Sequence, residues 1–394
     1  MILNKRTIKK IAMAGSMMSA SLLSGMSAHA EEGPIKIGVM LPYSGVYAGP
    51  GEAATNGLKQ ALKEKGNKIA GRQVEFIISD TEAKPARAPE LTSAMTDKDD
   101  ADFIIGPVHS GVAMGMIKSI RNKDSIMIIP NAGINAATGA FCQPNVFRTS
   151  FSSWQTAYPM GSEAVKMGYK KVVTMSWNYG FGKESLEAFQ ESFEDAGGEV
   201  VKKIFVPFPN TEFQSYLTEI ASIKPDAVFV FFAGGGSVKF VKDYDAMGLK
   251  GKIPLIGSGF LTEGTITAQG DAAEGLMTTL HYADTLDNPK NKAFRAEYKA
   301  LYDKPADIYA VQGYDAGQLI IQAVEATKGN TADKKALIKA MEGVEIDSPR
   351  GSFHFSKAHN PIQNIYLRKV ENGENMVVKT AAAALNDPAR GCKL

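Results

Sequence analysis

Short apolar runs alternate with longer amphipathic stretches along almost the whole chain after residue 34. The short runs are nearly continuous in apolar residues, as in strands of a parallel sheet that is covered on both faces. They are Ile35–Leu41, Val74–Ser79, Phe103–Gly106, Ile126–Pro130, Val172–Ser176, Ala227–Phe232 and Leu255–Ile256. Stretches of helical period lie between them, at Ala53–Lys65, Glu184–Ala196, Phe213–Ile223 and Val238–Met247. This alternation predicts repeated β-α-β units and an α/β fold.

The alternation runs from residue 34 to about 149 and restarts at about 150, which predicts two doubly wound parallel-sheet lobes joined by a hinge. Three helical patterns follow at Pro289–Tyr302, Ile308–Lys328 and Thr331–Met341, and β-like segments close the chain. We expect 34–149 plus 281–349 to form one lobe and 150–280 plus 350–394 the other. Short crossings near 149–152, 278–284 and 349–351 would then connect the lobes.

The first thirty residues have the pattern of a secretory signal peptide. Four basic residues precede a soft apolar stretch, Ile11 to Met26, and Ala28-His29-Ala30 offers a cleavage site after Ala30. A membrane anchor is the alternative, but the stretch is short and rich in Ser and Gly. The signal peptide predicts export to the periplasm.

An exported chain with two cysteines favours a disulfide, because the compartment is oxidising. We therefore predict a bond between Cys142 and Cys392, with two free thiols as the alternative.

The composition narrows the classes of function. The 394 residues carry a formal net charge of +2, and the four basic residues of the predicted signal peptide turn this into −2 for the remainder. A chain this close to neutrality has no basic surface for nucleic acid. Its length is sufficient for two or three domains, and its 44% hydrophobic residues are typical of globular proteins.

The loops that follow the strands carry the candidate binding chemistry, because ligands of open parallel sheets bind beyond the carboxyl ends of the strands. His109-Ser110-Gly111 follows the strand at 103–106 and precedes a helix, so Ser110 lies near a helix N-terminus that favours an anion. An ordinary helix-capping serine is the alternative. Gly234 belongs to a run of three glycines that would permit close backbone approach.

Enzyme and nucleotide motifs are missing. The sequence contains no G-x-S-x-G, H-E-x-x-H or C-x-x-C pattern, and no complete phosphate-binding loop or dinucleotide fingerprint. His109 and Ser110 are adjacent residues after a strand, which is poor geometry for a nucleophile and its base. We predict no catalytic residues, no metal and no cofactor.

The loops together resemble the periplasmic solute-binding proteins of ABC importers, in the branched-chain amino-acid (Leu/Ile/Val-binding) branch with the type I bilobed fold. The resemblance covers essentially the whole chain after residue 33. It rests on four segments in a fixed order: Ile37-Gly38-Val39 with Leu41-Pro42 and Ser44-Gly45; Ile104 to Pro107 with Ser110-Gly111; Tyr179-Gly180-Phe181-Gly182; and Tyr314-Asp315-Ala316.

The resemblance implies roles for particular residues. Ser110 matches the hydroxyl that holds the ligand carboxylate, with His109 beside it, and Ala132 and Gly133 match the next loop of that carboxylate site. Gly133 lacks the hydroxyl that the family often supplies there. Three further residues match aromatic side chains that the family places on the wall of the cleft: Tyr47, Tyr179 and Tyr309. Phe260 would add a fourth aromatic ring in this sequence.

One departure from the family concerns the ligand. Amino-acid binders of this family place an acidic residue near 259–260 to pair the ligand ammonium, and this chain has Gly259-Phe260 there. Burying an unpaired ammonium would be costly. Either Glu263, Asp284 or Asp315 takes that role, or the ligand is an aromatic or organic acid without an ammonium.

We therefore predict a monomeric periplasmic solute-binding protein that captures a small carboxylate between its lobes and delivers it to a membrane permease with its ATPase. A ligand-sensing module of the same fold is the alternative. A secreted α/β hydrolase or oxidoreductase is disfavoured by the missing motifs.

Overall fold

The computed structural model describes residues 33–394. The predicted signal peptide, residues 1–30, lies outside this range. Within the described range, no helix has both the length and the apolar character that crossing a bilayer requires.

The first lobe is built on a six-stranded sheet. Its strands are β1 (Ile35–Leu41), β2 (Lys68–Ile69), β3 (Arg72–Asp80), β4 (Phe103–Ile105), β5 (Ile126–Ile129) and β6 (Val146–Arg148). They lie in the order β2-β3-β1-β4-β5-β6, and all neighbours pair in parallel except β2 and β3. The buried, apolar β1, β4 and β5 follow the predicted pattern of strands covered on both faces.

The second lobe is built on a nine-stranded sheet. Its strands are β7 (Lys171–Trp177), β8 (Glu199–Val206), β9 (Ala227–Phe231), β10 (Leu255–Ser258), β11 (Met277–Leu280), β12 (Glu345–Ile346), β13 (Phe353–Phe355), β14 (Pro361–Glu371) and β15 (Glu374–Leu385). The order is β12-β13-β14-β11-β10-β9-β7-β8, with β15 on β14. The strands β7 to β11 are parallel, and β12 to β15 are antiparallel additions. Two doubly wound, mostly parallel lobes are thus confirmed.

Helices cover the sheets on both faces. They are α1 (Ala48–Lys63), α2 (Ala88–Ser93), α3 (Ser110–Ile120), α4 (Ser153–Lys166), α5 (Gly180–Asp195), α6 (Gln214–Ile223), α7 (Gly234–Ala246), α8 (Ile266–Gln269), α9 (Pro289–Tyr302), α10 (Ile308–Ala326) and α11 (Lys334–Glu342). The three-glycine run, expected as a loop, forms the first turn of α7 instead.

Helix α10 lies very close to α1 in the first lobe. A Cβ atom added to Gly57 would lie 1.8 Å from the carbonyl oxygen of Ala310, and one added to Gly313 would lie 1.8 Å from that of Ala54. Side chains at these glycines would force the helices apart. The contact therefore fixes the N-terminal turn of α10, which reaches the space between the lobes.

The segment around His359 contacts the edge of the first sheet. The backbone N–H of Arg148, in β6, donates to the carbonyl oxygen of His359 (3.0 Å), and the His359 ring stacks on Phe147 at 4.0 Å. Residues around His359 therefore contact the edge of the first sheet, although β13 pairs with β14 in the second sheet. The crossing near 349–351 stays a prediction.

Arg350 ties two of the connecting segments together. Its buried guanidinium donates to the carbonyl oxygens of Thr149 (2.6 Å) and Ser150 (3.0 Å) and pairs with Asp315 on α10 (3.2 Å). These bonds hold the first crossing against the first lobe.

The predicted disulfide between Cys142 and Cys392 is present. Cys142 precedes β6, and the tail after β15 is held at the start of α4 by Asp387, which accepts a hydrogen bond from the hydroxyl of Ser152. The disulfide therefore ties the C-terminal tail to the segment before β6.

Candidate functional site

A small aromatic cavity lies where the two lobes meet. Its free volume is only about 10 Å³, and its lining comes from strand ends and helix starts of both lobes. The lining residues are Tyr47, Val108, Asn131, Phe151, Tyr179, Phe181, Phe231, Ala233, Phe260 and Tyr309. Among them there is no charged side chain.

Four predicted aromatic residues converge on this cavity. The hydroxyl oxygens of Tyr47, from the first lobe, and Tyr179, from the second, lie 2.8 Å apart and share a hydrogen bond. Phe260 and Tyr309 pack with their ring centroids 6.0 Å apart. The tyrosine pair bridges the lobes directly, so the structure represents the closed arrangement.

Ser110 lies beside the cavity but does not line it. It is the first residue of α3, and its buried hydroxyl has no hydrogen-bond partner among the described residues. Across the interface, a Cβ atom added to Gly180 of α5 would lie 3.7 Å from the Ser110 Cβ. The free hydroxyl and the close approach of the second lobe are consistent with the predicted carboxylate contact.

His109, and not Ser110, caps α3. Its Nδ1 accepts a hydrogen bond from the backbone N–H of Gly111 (3.0 Å). The ring is sandwiched at the lobe interface, 4.4 Å from the Tyr179 ring and 4.8 Å from that of Phe208. Burial lowers the pKa of His109 from 6.5 to about 4, so the ring is neutral near pH 7.

Ala132 and Gly133 follow β5 and lie against the second lobe. A Cβ atom added to Gly133 would lie 2.3 Å from Cε2 of Phe181 and 2.8 Å from Cε2 of Phe151. The two rings therefore occupy the room that a threonine side chain would need here. Gly133 has no side-chain hydroxyl, and its small size leaves room for these two rings of the aromatic wall.

Gly234 does not line the aromatic cavity. It lines a wider neighbouring groove, and a Cβ atom added to it would lie 2.3 Å from the carbonyl oxygen of Val46. Its φ of +54° also lies in the left-handed region, which favours glycine. Gly234 thus serves close approach of the lobes, and its neighbour Ala233 lines the cavity instead.

Three helix N-termini surround the cavity: those of α3, α5 and α7. Neither Tyr179 before α5 nor Ala233 before α7 caps its helix with a side-chain hydrogen bond. The free N–H groups and the positive ends of the helix dipoles favour an anion even without a lysine or arginine. The arrangement suits a carboxylate joined to an aromatic ring.

Comparison with known proteins agrees with this geometry. The family model described as periplasmic binding protein matches residues 34–375. The chain belongs to the periplasmic binding protein family. A curated relative, the Leu/Ile/Val-binding protein homolog 6 of Brucella melitensis, is 33% identical and covers 93% of this chain and 94% of its own length.

Two solved structures of solute-binding proteins of ABC transporters resemble this periplasmic binding protein. One, from R. palustris in complex with benzoate, is 48% identical, with a TM-score of 0.90, and the match covers 92% of this chain and all of the other. The second, from Rhodopseudomonas palustris HaA2 in complex with p-hydroxybenzoic acid, is 32% identical, with a TM-score of 0.85. That match covers 90% of this chain and 98% of the other.

None of the three acidic candidates for pairing an ammonium reaches the aromatic cavity of this binding protein. Glu263 forms a fully buried ion pair with Arg368, and Asp315 pairs with Arg350. Asp284 lines the wider groove. Burial raises the pKa of Glu263 to about 7 even with Arg368 beside it, because desolvation outweighs the nearby positive charge.

Several lining residues were not predicted from the sequence: Asn131, Phe151, Phe181 and Phe231. Phe181 belongs to the quoted Tyr-Gly-Phe-Gly segment, and Phe151 follows β6 directly, so the strand-end rule could have found both. Phe231 ends β9 and reads as an ordinary core residue. Among residues 33–394, no three His, Cys, Asp or Glu side chains are grouped to hold a metal ion.

Proposed function

We propose that this chain is the solute receptor of an ABC importer and that its ligand is a benzoate-type aromatic acid. The observation that carries the proposal is the interlobe cavity walled by aromatic rings with no acidic side chain in its lining. Aromatic walls suit the ring of a ligand, which would pack against them by stacking and edge contacts. The carboxylate would lie toward Ser110 and the N-termini of α3 and α5.

The relatives support both parts of the proposal. The benzoate complex of the 48% identical protein supports the ligand class, and its description as part of an ABC transporter supports delivery to a membrane permease and its ATPase. As in other two-lobed receptors, the ligand would favour the closed form through its contacts with the second lobe. We also propose that the receptor releases the acid unchanged, without catalysis.

A branched-chain amino acid is the second candidate, favoured by the Brucella relative. Its ammonium would have no carboxylate partner in the cavity, so its desolvation would not be compensated. The geometry therefore favours the aromatic acid.

A ligand screen decides between these candidates. We expect benzoate or a hydroxybenzoate to raise the melting temperature of the purified protein. At a ligand concentration a hundredfold above Kd, the free energy of unfolding should increase by about 2.7 kcal/mol. Leucine, isoleucine and valine should give no shift. Stabilisation by an amino acid but by no aromatic acid would contradict the proposal, and chemical change of the bound acid would indicate an enzyme.

A further inference from the structure

The hydroxyl of Tyr309 is exceptional among the buried tyrosines of residues 33–394. Tyr309 is only 2% exposed, yet its hydroxyl has no hydrogen-bond partner. The hydroxyls of the comparably buried Tyr47, Tyr244 and Tyr282 are each bonded, to Tyr179, the carbonyl oxygen of Ile253 and Asn291 respectively. A buried polar group without a partner is costly, so an unpaired hydroxyl on a cavity wall needs an explanation.

The position of Tyr309 gives that explanation. The residue lines the aromatic cavity and also borders the wider groove beyond it. Burial, together with the nearby carboxyl groups of Asp307 and Glu263, raises the pKa of Tyr309 well above its ordinary value. The phenol therefore keeps its proton and remains an unused donor and acceptor.

The charges around the cavity also orient an aromatic acid. The carboxyl groups of Asp307 and Glu263 lie near Tyr309 and do not favour a ligand carboxylate there. The free hydroxyl of Ser110 lies close to Gly180 at the N-terminus of α5, where an anion is favoured. A bound acid would thus direct its carboxylate toward Ser110 and a ring position toward Tyr309.

We propose that Tyr309 selects ring-hydroxylated benzoates over benzoate itself, by exchanging a hydrogen bond with the hydroxyl on the ligand ring. The inference rests on the proposed function and refines its ligand class. An aromatic acid with a ring hydroxyl satisfies both the tyrosine and itself, whereas benzoate leaves the tyrosine unpaired. A difference of about 10- to 100-fold in Kd follows from the usual cost of an unpaired buried group.

The test is calorimetric titration of the full-length mature protein with benzoate and its three monohydroxy isomers. We expect at least one isomer to bind about 10- to 100-fold more tightly than benzoate. In Tyr309→Phe this advantage should disappear, while affinity for benzoate stays unchanged or improves. The matched control is Tyr244→Phe, which removes a bonded hydroxyl remote from the cavity and should leave the ratio of affinities as in the wild type.

Three results would contradict these expectations. The inference is overturned if benzoate binds as tightly as every isomer. It is equally overturned if Tyr309→Phe weakens benzoate and hydroxybenzoates alike, which would place the ligand carboxylate at Tyr309. Binding of none of these acids overturns the proposed function and the inference together, whereas the first two outcomes leave the proposed function standing.

Discussion

Closure of the lobes brings Phe181 of the second lobe onto Gly133 of the first, which makes Gly133→Ala a direct test of the closed arrangement. The new Cβ would lie 2.3 Å from Cε2 and 2.6 Å from Cδ2 of Phe181. Ordinary van der Waals contacts begin at about 3.4 Å, so the ring or the lobe must move by about 1 Å. The φ of Gly133 lies outside the left-handed region, so the backbone accepts alanine.

The cost of this overlap falls mainly on the closed form, because opening the lobes removes Phe181 from the loop. Overpacking of a close-packed contact costs about 1–3 kcal/mol. Ligand binding draws on the closed form, so we expect the Kd for an aromatic acid to rise by about 5- to 150-fold. The melting temperature of the ligand-free protein should fall only slightly, since Phe151 alone has to adjust.

Calorimetry and thermal unfolding of the variant give both quantities. Gly235→Ala is the matched control, because a Cβ there has no heavy atom within 4 Å and alanine favours the helix α7. We expect the control to bind the acid as the wild type does. Unchanged affinity in Gly133→Ala would refute the reasoning, and so would a loss of ligand-free stability as large as the loss of binding energy.

Three further predictions concern the carboxylate contact, the pH dependence and the disulfide. If the Ser110 hydroxyl holds a charged carboxylate, Ser110→Ala should weaken binding of the acid by about 1–3 kcal/mol, measured by calorimetry. Ser185→Ala is the control, because it also removes a buried unpaired hydroxyl but lies outside the cavity, and it should leave the affinity unchanged. The lowered pKa of His109 in the closed form, about 4 against 6.5 when solvated, means that closure is fully favoured above pH 6.5 and is progressively lost as the pH falls toward 4. Affinity should therefore drop about tenfold between pH 7.5 and 5.5, and His109→Asn, which keeps a capping acceptor, should remove that part of the slope; an identical slope in the variant would contradict the assignment. Replacing Cys142 and Cys392 together by serine should lower the free energy of unfolding by about 2–5 kcal/mol in urea titrations, and a reducing agent should destabilise the wild type but not the variant; equal stability of the two proteins would show that the link contributes nothing.

Local patterns determined the architecture of the lobes. The apolar runs at 35–41, 103–106 and 126–130 predicted parallel strands correctly, because a strand covered on both faces must be apolar throughout. The strand-end rule also selected loops that border the interlobe cavity, and Tyr47 and Tyr179 from those loops line it. An even cysteine count in an exported chain predicted the disulfide.

Other features depend on which distant segments come together, and the sequence did not reveal them. The contact of His359 with Phe147 at the edge of the first sheet joins segments more than 200 residues apart, which no local pattern predicts. Phe231 looks like any other strand residue until the two lobes close over it. The role of Gly133 is likewise invisible until Phe181 arrives from the other lobe.

The sequence by itself therefore determined the fold class, the two-lobed organisation and the loops that border the interlobe cavity, because these follow from periodicity and from the rule for strand ends. Only the tertiary structure decided that the acidic candidates lie outside the cavity, that rings from both lobes enclose it, and that the hydroxyls of Ser110 and Tyr309 are left unpaired. The physical reason is that hydrogen-bond satisfaction and burial are properties of contacts between residues far apart in the chain.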